Sequence, residues 1–190
     1  MATYLFALLA TTLPSALSPL QPGSHPRFIL LVFIVTFLLP LLCMGIFKTF
    51  GTIRSFMMAD RSERVIPFAF VSGIYVAVTI MFYTRTDSTE VNFLRLLMIV
   101  DLLVIVSTLV TVFFKISVHS VGIWGLIGIT LPLTQVSEVN YLFYSSVALI
   151  ILAGIVMSSR LQLGAHNTRE VMWGSIAGLA TSVSGMLIFF

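Results

Sequence analysis

Six stretches of the chain are apolar over nearly their whole length and are parted by short polar segments: residues 28–47, 67–83, 91–114, 118–133, 141–157 and 171–190. An α-helix rises about 1.5 Å per residue, so roughly 20 apolar residues carry it across a bilayer's hydrocarbon core. The pattern predicts an all-α fold, a polytopic membrane helix bundle of six transmembrane helices plus an N-terminal apolar helix. The fourth run is short and carries Gly122, Gly125 and Gly128 at a spacing of three, which permits close helix approach. The N-terminal run, residues 2–20, holds Pro14 and Pro19 and has no basic residue ahead of it. A secretory signal would start positive and end in a small-residue cleavage site. This run predicts a kinked helix that is re-entrant or interfacial, with a full seventh span as the alternative. Residues 21–27, with Pro22, Gly23 and Pro26, read as a linker. No repeat or second domain interrupts the pattern, so residues 1–190 are expected to form one membrane-embedded domain.

Composition agrees. Hydrophobic residues make up 58% of the chain and charged ones 9%, where a soluble domain carries roughly a quarter charged. The net charge of +3 does not point to nucleic acid, because no soluble basic surface is available to present it. Cys43 is the sole cysteine, which excludes a disulfide or a cysteine–zinc site within one chain.

Where the polar residues fall narrows the function. Two crossings return a chain to the side it left, so three polar segments share one membrane face. The first, residues 48–67, holds Arg54, Asp60, Arg61, Glu63 and Arg64; the second is Lys115-Ile116-Ser117-Val118-His119-Ser120; the third runs from Ser159 and Arg160 to His166, Asn167 and Glu170. The opposite loops, residues 84–90 and 134–140, hold Arg85, Asp87, Glu90 and Glu138 but no histidine. His25 also falls on that opposite face, so a three-histidine metal site is not expected, and neither is another cofactor. A guanidinium clamps phosphate oxygens in fork geometry. Imidazole serves as nucleophile or acid–base near neutral pH, and a carboxylate four residues on can fix its tautomer.

The third segment, Ser159-Arg160-x5-His166-x3-Glu170, resembles the third signature of the type-2 phosphatidic acid phosphatase superfamily, whose acid is Asp where this chain has Glu. The second signature, Pro-Ser-Gly-His, is met at Ser117 and His119, with Ile116 and Val118 in place of Pro and Gly. The first, Lys-x6-Arg-Pro, is loose: Arg54-x6-Arg61 has the spacing but Ser62 follows, and Asp60-Arg61 through Pro67 gives a stretched form. The likeness covers roughly residues 40–178 and is similar to a compact bacterial branch that reads Asp-Arg-x-x-Arg-x-x-Pro, Lys-Ile-Ser-x-His and Gly-Ala-His.

The resemblance implies a metal-independent lipid phosphatase. His166 would be the nucleophile that becomes a phosphohistidine, with Glu170 holding its ring. His119 would protonate the leaving oxygen and then activate water. Arg160, Arg61, Arg64, Lys115 and Ser117 would bind phosphate, Lys115 standing in for the Lys missing from the first signature. Each residue also has a plainer reading. Asn167-x-x-Glu170 is a capping-box pattern, Ser117 an N-cap, Lys115 and Arg160 interfacial anchors, and Arg61 and Arg64 part of a solvated ion-pair network with Asp60 and Glu63. The substrate would be a lipid phosphate or diphosphate: polyprenyl diphosphate, phosphatidylglycerol phosphate, phosphatidic acid or a lipid A phosphate.

Two other classes stay open. Asp101 stands alone in the third span, where an ionisable group marks a functional position by default; it fits a proton-coupled transporter or a helix-to-helix hydrogen bond. A catalytically inactive membrane scaffold fits the departures in the first two signatures. A bis-histidine haem is weaker, because Arg and Lys around His119 and His166 favour an anion. Seven basic residues (Lys48, Arg54, Arg61, Arg64, Lys115, Arg160 and Arg169) share the signature face against Arg27, Arg85 and Arg95, which alone would place it in the cytoplasm. Four of the seven are candidate ligands. The resemblance implies instead a bacterial inner-membrane protein with its site facing the periplasm.

Overall fold

The computed structural model describes residues 1–55, 58, 60, 62–85, 92–135 and 140–190. Among them the regular structure is helical, with no strand. Helix α1 covers Ala2–Thr12, α2 Pro22–Thr49, α3 Ser62–Arg85, α4 Asn92–Phe113, α5 Val118–Leu133, α6 Tyr141–Gln162 and α7 Thr168–Phe189. Helices α2, α3, α4, α6 and α7 are long and apolar enough to cross a membrane. Their outer faces expose Leu42, Ile80, Leu109, Ile151, Trp173 and Leu187. In water so much open apolar surface drives association; against lipid it is at home, and each helix satisfies its own backbone. The chain is an integral membrane protein built as a helical bundle.

The apolar runs locate the helices well and their ends less well. Helix α5 has the expected bounds, whereas α3 begins at Ser62, five residues ahead of Pro67. Proline there removes one intrahelical hydrogen bond, the one to Glu63, so the turn before it survives. Helix α6 runs on to Gln162 and puts Ser159 and Arg160 on its last turn. The N-terminal run gives α1, 11 residues long and so about 16 Å, half a bilayer core; Pro14 then opens a short 3-10 turn. At that length α1 is shorter than the full seventh span expected as the alternative. Its Leu5, Phe6 and Leu9 are completely buried in the bundle. Its start lies against α5, where Met1 Sδ would sit 3.3 Å from a Cβ at Gly122. Beyond its end, Ser18 accepts the Phe93 N–H at the start of α4. Edge-to-face contacts among Phe6, Phe28, Phe82 and Phe93, with centroids 5.1–5.7 Å apart, bind this far end together.

Helix α2 is continuous but carries a π-helical segment, Ile34–Leu38, just ahead of Pro40. Proline has no N–H for the carbonyl four residues back, which is Thr36. That carbonyl is taken by Tyr75 Oη of α3 at 3.0 Å, so the π-helical segment also pins α2 to α3.

The centre of the bundle is α4 and α5, and α5 packs most extensively on α7. Glycine makes that approach possible. A Cβ on Gly174 would stand 2.6 Å from the Ser117 carbonyl oxygen, and one on Gly178 would strike the Val121 carbonyl. Gly154, on the outer side of α6, has nothing within 4 Å. We therefore expect Gly178→Ala to lower stability in detergent by about 1–3 kcal/mol through overpacking. Gly154→Ala is expected to be neutral or to add up to about 1 kcal/mol by helix propensity. Equal melting behaviour of the two variants would contradict the packing described.

Candidate active site

The polar ends of α3, α5, α6 and α7 meet at one cavity of ≈ 490 Å³. Its walls carry Arg64 from α3, Lys115 and His119 at the start of α5, Arg160 from the end of α6, and His166 ahead of α7; Phe68 and Val118 form an apolar side. Three sequence segments about 50 residues apart thus arrive together.

The third segment is shaped by its two helix ends. Helix α6 stops where Gly164 adopts φ +61° and its N–H returns to the Leu161 carbonyl at 3.0 Å, a left-handed cap that only glycine takes without strain. The chain then turns through Ala165 and His166 to Asn167. Asn167 caps α7, its Oδ1 accepting the Glu170 N–H at 2.9 Å. This first turn brings Glu170 under His166, and Glu170 Oε2 accepts from Nδ1 at 2.6 Å. A carboxylate on Nδ1 leaves the lone pair of the neutral ring on Nε2. The capping and ring-orienting readings of Glu170 coexist.

The second segment is joined to the third through the backbone. Ser117 N–H donates to the Glu170 carbonyl at 3.1 Å, and Lys115 Nζ lies 3.8 Å from Glu170 Oε2. Ser117 is completely buried, and its Oγ accepts from the Ser120 N–H at 3.4 Å and from Ser120 Oγ at 2.9 Å. Its hydroxyl caps α5. His119, one residue into α5, faces the charges of Arg160 and His166.

In the first segment Arg64 turns inward and is 6% exposed. Its Nε donates to the Met58 carbonyl at 2.8 Å and its Nη1 to the Ile116 carbonyl at 3.5 Å. Arg54 points away, 87% exposed and paired with Glu63 at 3.6 Å, one ion pair of the solvated network anticipated for this segment. Arg61 lies outside the described residues. Arg160 Nε is buried with no hydrogen-bond partner among the described residues. Asp101 is in the middle of α4 beside Thr79 and does not reach the cavity.

Two contributors escape sequence reasoning. Phe68 and Met58 form part of the wall, and nothing in their types or spacing marks them. Asn167 was legible as a cap, but its Nδ2 also donates to Glu170 Oε1 at 3.1 Å.

The arrangement suits an anion. Arg64, Lys115 and Arg160 bring positive charge to a partly buried space, where charge–charge attraction far exceeds its value in water. The carboxylate at its edge is engaged by His166. Burial holds the His166 pKa below the ordinary imidazole range; the Glu170 hydrogen bond opposes this, and Arg64 and Lys115 reinforce it. Neutral imidazole therefore predominates at pH 7. An NMR titration of the His166 ring is expected to give a midpoint below about 6.5. In Glu170→Gln the midpoint drops further, because the group that favours the charged ring is gone. A wild-type midpoint above 7 would contradict this balance.

Compared with protein-family models, with curated proteins and with solved structures, the chain gives no match.

Proposed function

We propose that the chain is a membrane-embedded phosphatase that hydrolyses a lipid phosphate or diphosphate without a metal, through a phosphohistidine on His166. The observation that carries this reading is the His166–Glu170 pair at 2.6 Å opening on the same cavity as His119, Arg64, Lys115 and Arg160. The likeness of the three segments to the type-2 phosphatidic acid phosphatase signatures supports it, and with it the expectation of a bacterial inner-membrane protein whose site faces the periplasm. Helices α2 to α7 make the six crossings, and α1 remains a half-length helix inside the bundle.

In this mechanism the phosphate enters among the three cations while the lipid tail stays between helices. His166 Nε2 attacks phosphorus in line with the departing oxygen, and His119 gives that oxygen its proton. The phosphoryl transition state spreads negative charge over its equatorial oxygens, and fixed cations stabilise it there. Arg160 has an unused buried donor for the purpose. Glu170 stabilises the imidazolium that forms on His166. His119, now neutral, takes a proton from water, and the resulting hydroxide cleaves the P–N bond. Inorganic phosphate leaves and both histidines return to their starting states.

The test is phosphate release by the purified protein in detergent with EDTA present, across polyprenyl diphosphate, phosphatidylglycerol phosphate, phosphatidic acid and lipid A phosphate. Release is expected from at least one of these, lowered by about 10³-fold or more in His166→Ala and by about 10²- to 10⁴-fold in Glu170→Gln. Activity should fall as pH drops through the His166 midpoint, because only the neutral ring attacks. A folded preparation that releases phosphate from none of them would overturn the proposal.

A further inference from the structure

Glu170 is held on every side. Its Oε2 accepts from His166 Nδ1 at 2.6 Å and lies 3.8 Å from Lys115 Nζ. Its Oε1 accepts from Asn167 Nδ2 at 3.1 Å. Its backbone N–H donates to Asn167 Oδ1 at 2.9 Å, and its carbonyl accepts from Ser117 at 3.1 Å. An ordinary capping box would send the Glu side chain back to the backbone N–H of the cap residue. Here the carboxylate takes the side-chain amide instead and stays on the histidine ring.

The orientation of the Asn167 amide is fixed by its own two bonds. Oδ1 faces an N–H and Nδ2 faces a carboxylate; the flipped amide would set donor against donor and acceptor against acceptor. Aspartate or serine would cap α7 comparably. Neither carries an amide donor beside the acceptor on one rigid plane. Glutamate, with one more rotatable bond than aspartate, has more freedom to lose when its carboxylate must hold one place.

We infer that Asn167 is a positioning residue for the His166–Glu170 pair: its amide clamps one oxygen of Glu170, so that the other stays on Nδ1 and the ring offers Nε2 to the cavity. The chemical consequence rests on the phosphatase reading; the clamp itself is observable without turnover. The groups that face this pair are Lys115 and His119 at the start of α5, Arg64 of α3, and Arg160 of α6, which reaches it through His119.

The experiment compares the full chain in detergent with Asn167→Ser and Asn167→Asp, each of which retains a capping oxygen. Melting temperatures are expected to stay within about 2 °C of wild type. Nitrogen NMR of the His166 ring should show the Nδ1–H tautomer in wild type and a mixture of tautomers in Asn167→Ser. In Asn167→Asp the His166 midpoint should move up, because a second carboxylate favours imidazolium, and the acid limb of the pH–rate profile should move with it. With a short-chain soluble phosphate ester, kcat should fall about ten- to a hundredfold in both variants while KM changes little. A wild-type Nδ1–H tautomer in Asn167→Ser would overturn the inference and leave Asn167 a cap alone. Absence of phosphate release from wild type would strike the phosphatase reading, while the NMR comparison would still decide the clamp.

Discussion

The close approach of α5 to α7 is the constraint on which the rest depends. Gly174 and Gly178 bring the start of α7 against the Ser117 and Val121 carbonyls, near enough for the Ser117 N–H to reach the Glu170 carbonyl. That bond places the first turns of both helices side by side. His119 belongs to one of those turns, and Glu170, which carries His166, to the other. Without a hydrophobic drive between helices in lipid, such contact relies on small residues and interhelical hydrogen bonds; here both occur at the polar ends, where the two imidazoles must face each other.

Electrostatics follow from that placement. Three cations in a partly buried space repel one another and lose hydration, which is unfavourable unless an anion relieves it. Glu170 offsets part of the charge through Lys115, and backbone carbonyls of Met58 and Ile116 receive Arg64. Arg160 Nε has no such relief among the described residues. Under the proposed mechanism a phosphate dianion would supply what is missing, and most of all when its charge is spread over equatorial oxygens. The same surroundings and the burial of His166 keep its ring neutral at pH 7, the state in which it is nucleophilic.

Much of this was legible in the chain, for identifiable reasons. Long apolar runs separated by polar clusters fix where helices lie, and counting crossings brings Arg64, Lys115, His119, Arg160 and His166 to one face with no tertiary information. The His166-x3-Glu170 spacing presents the carboxylate to the ring because a capped first turn intervenes. Helix ends were less legible. Pro67 looks like a start but sits inside α3, and Gln162 extends α6 past its apolar run because Gly164, not polarity, ends the helix. The depth of α1 could not be read from its composition, since an apolar half-length helix is as compatible with lipid as with a protein interior. Ser117 had two readings; the structure shows it as the cap of α5 and leaves a part in phosphate binding untested. The inward turn of Arg64 depends on carbonyls supplied by Met58 and Ile116, partners that no local pattern encodes.

The central claim is that phosphorus is attacked by His166 and only afterwards by water. The stereochemical course at phosphorus tests it most directly, with an isotopically chiral thiophosphate ester of whichever lipid proves to be the substrate, hydrolysed in oxygen-labelled water. Two successive in-line displacements predict retention of configuration. Inversion would mean a single direct attack by water and would contradict the covalent role given to His166.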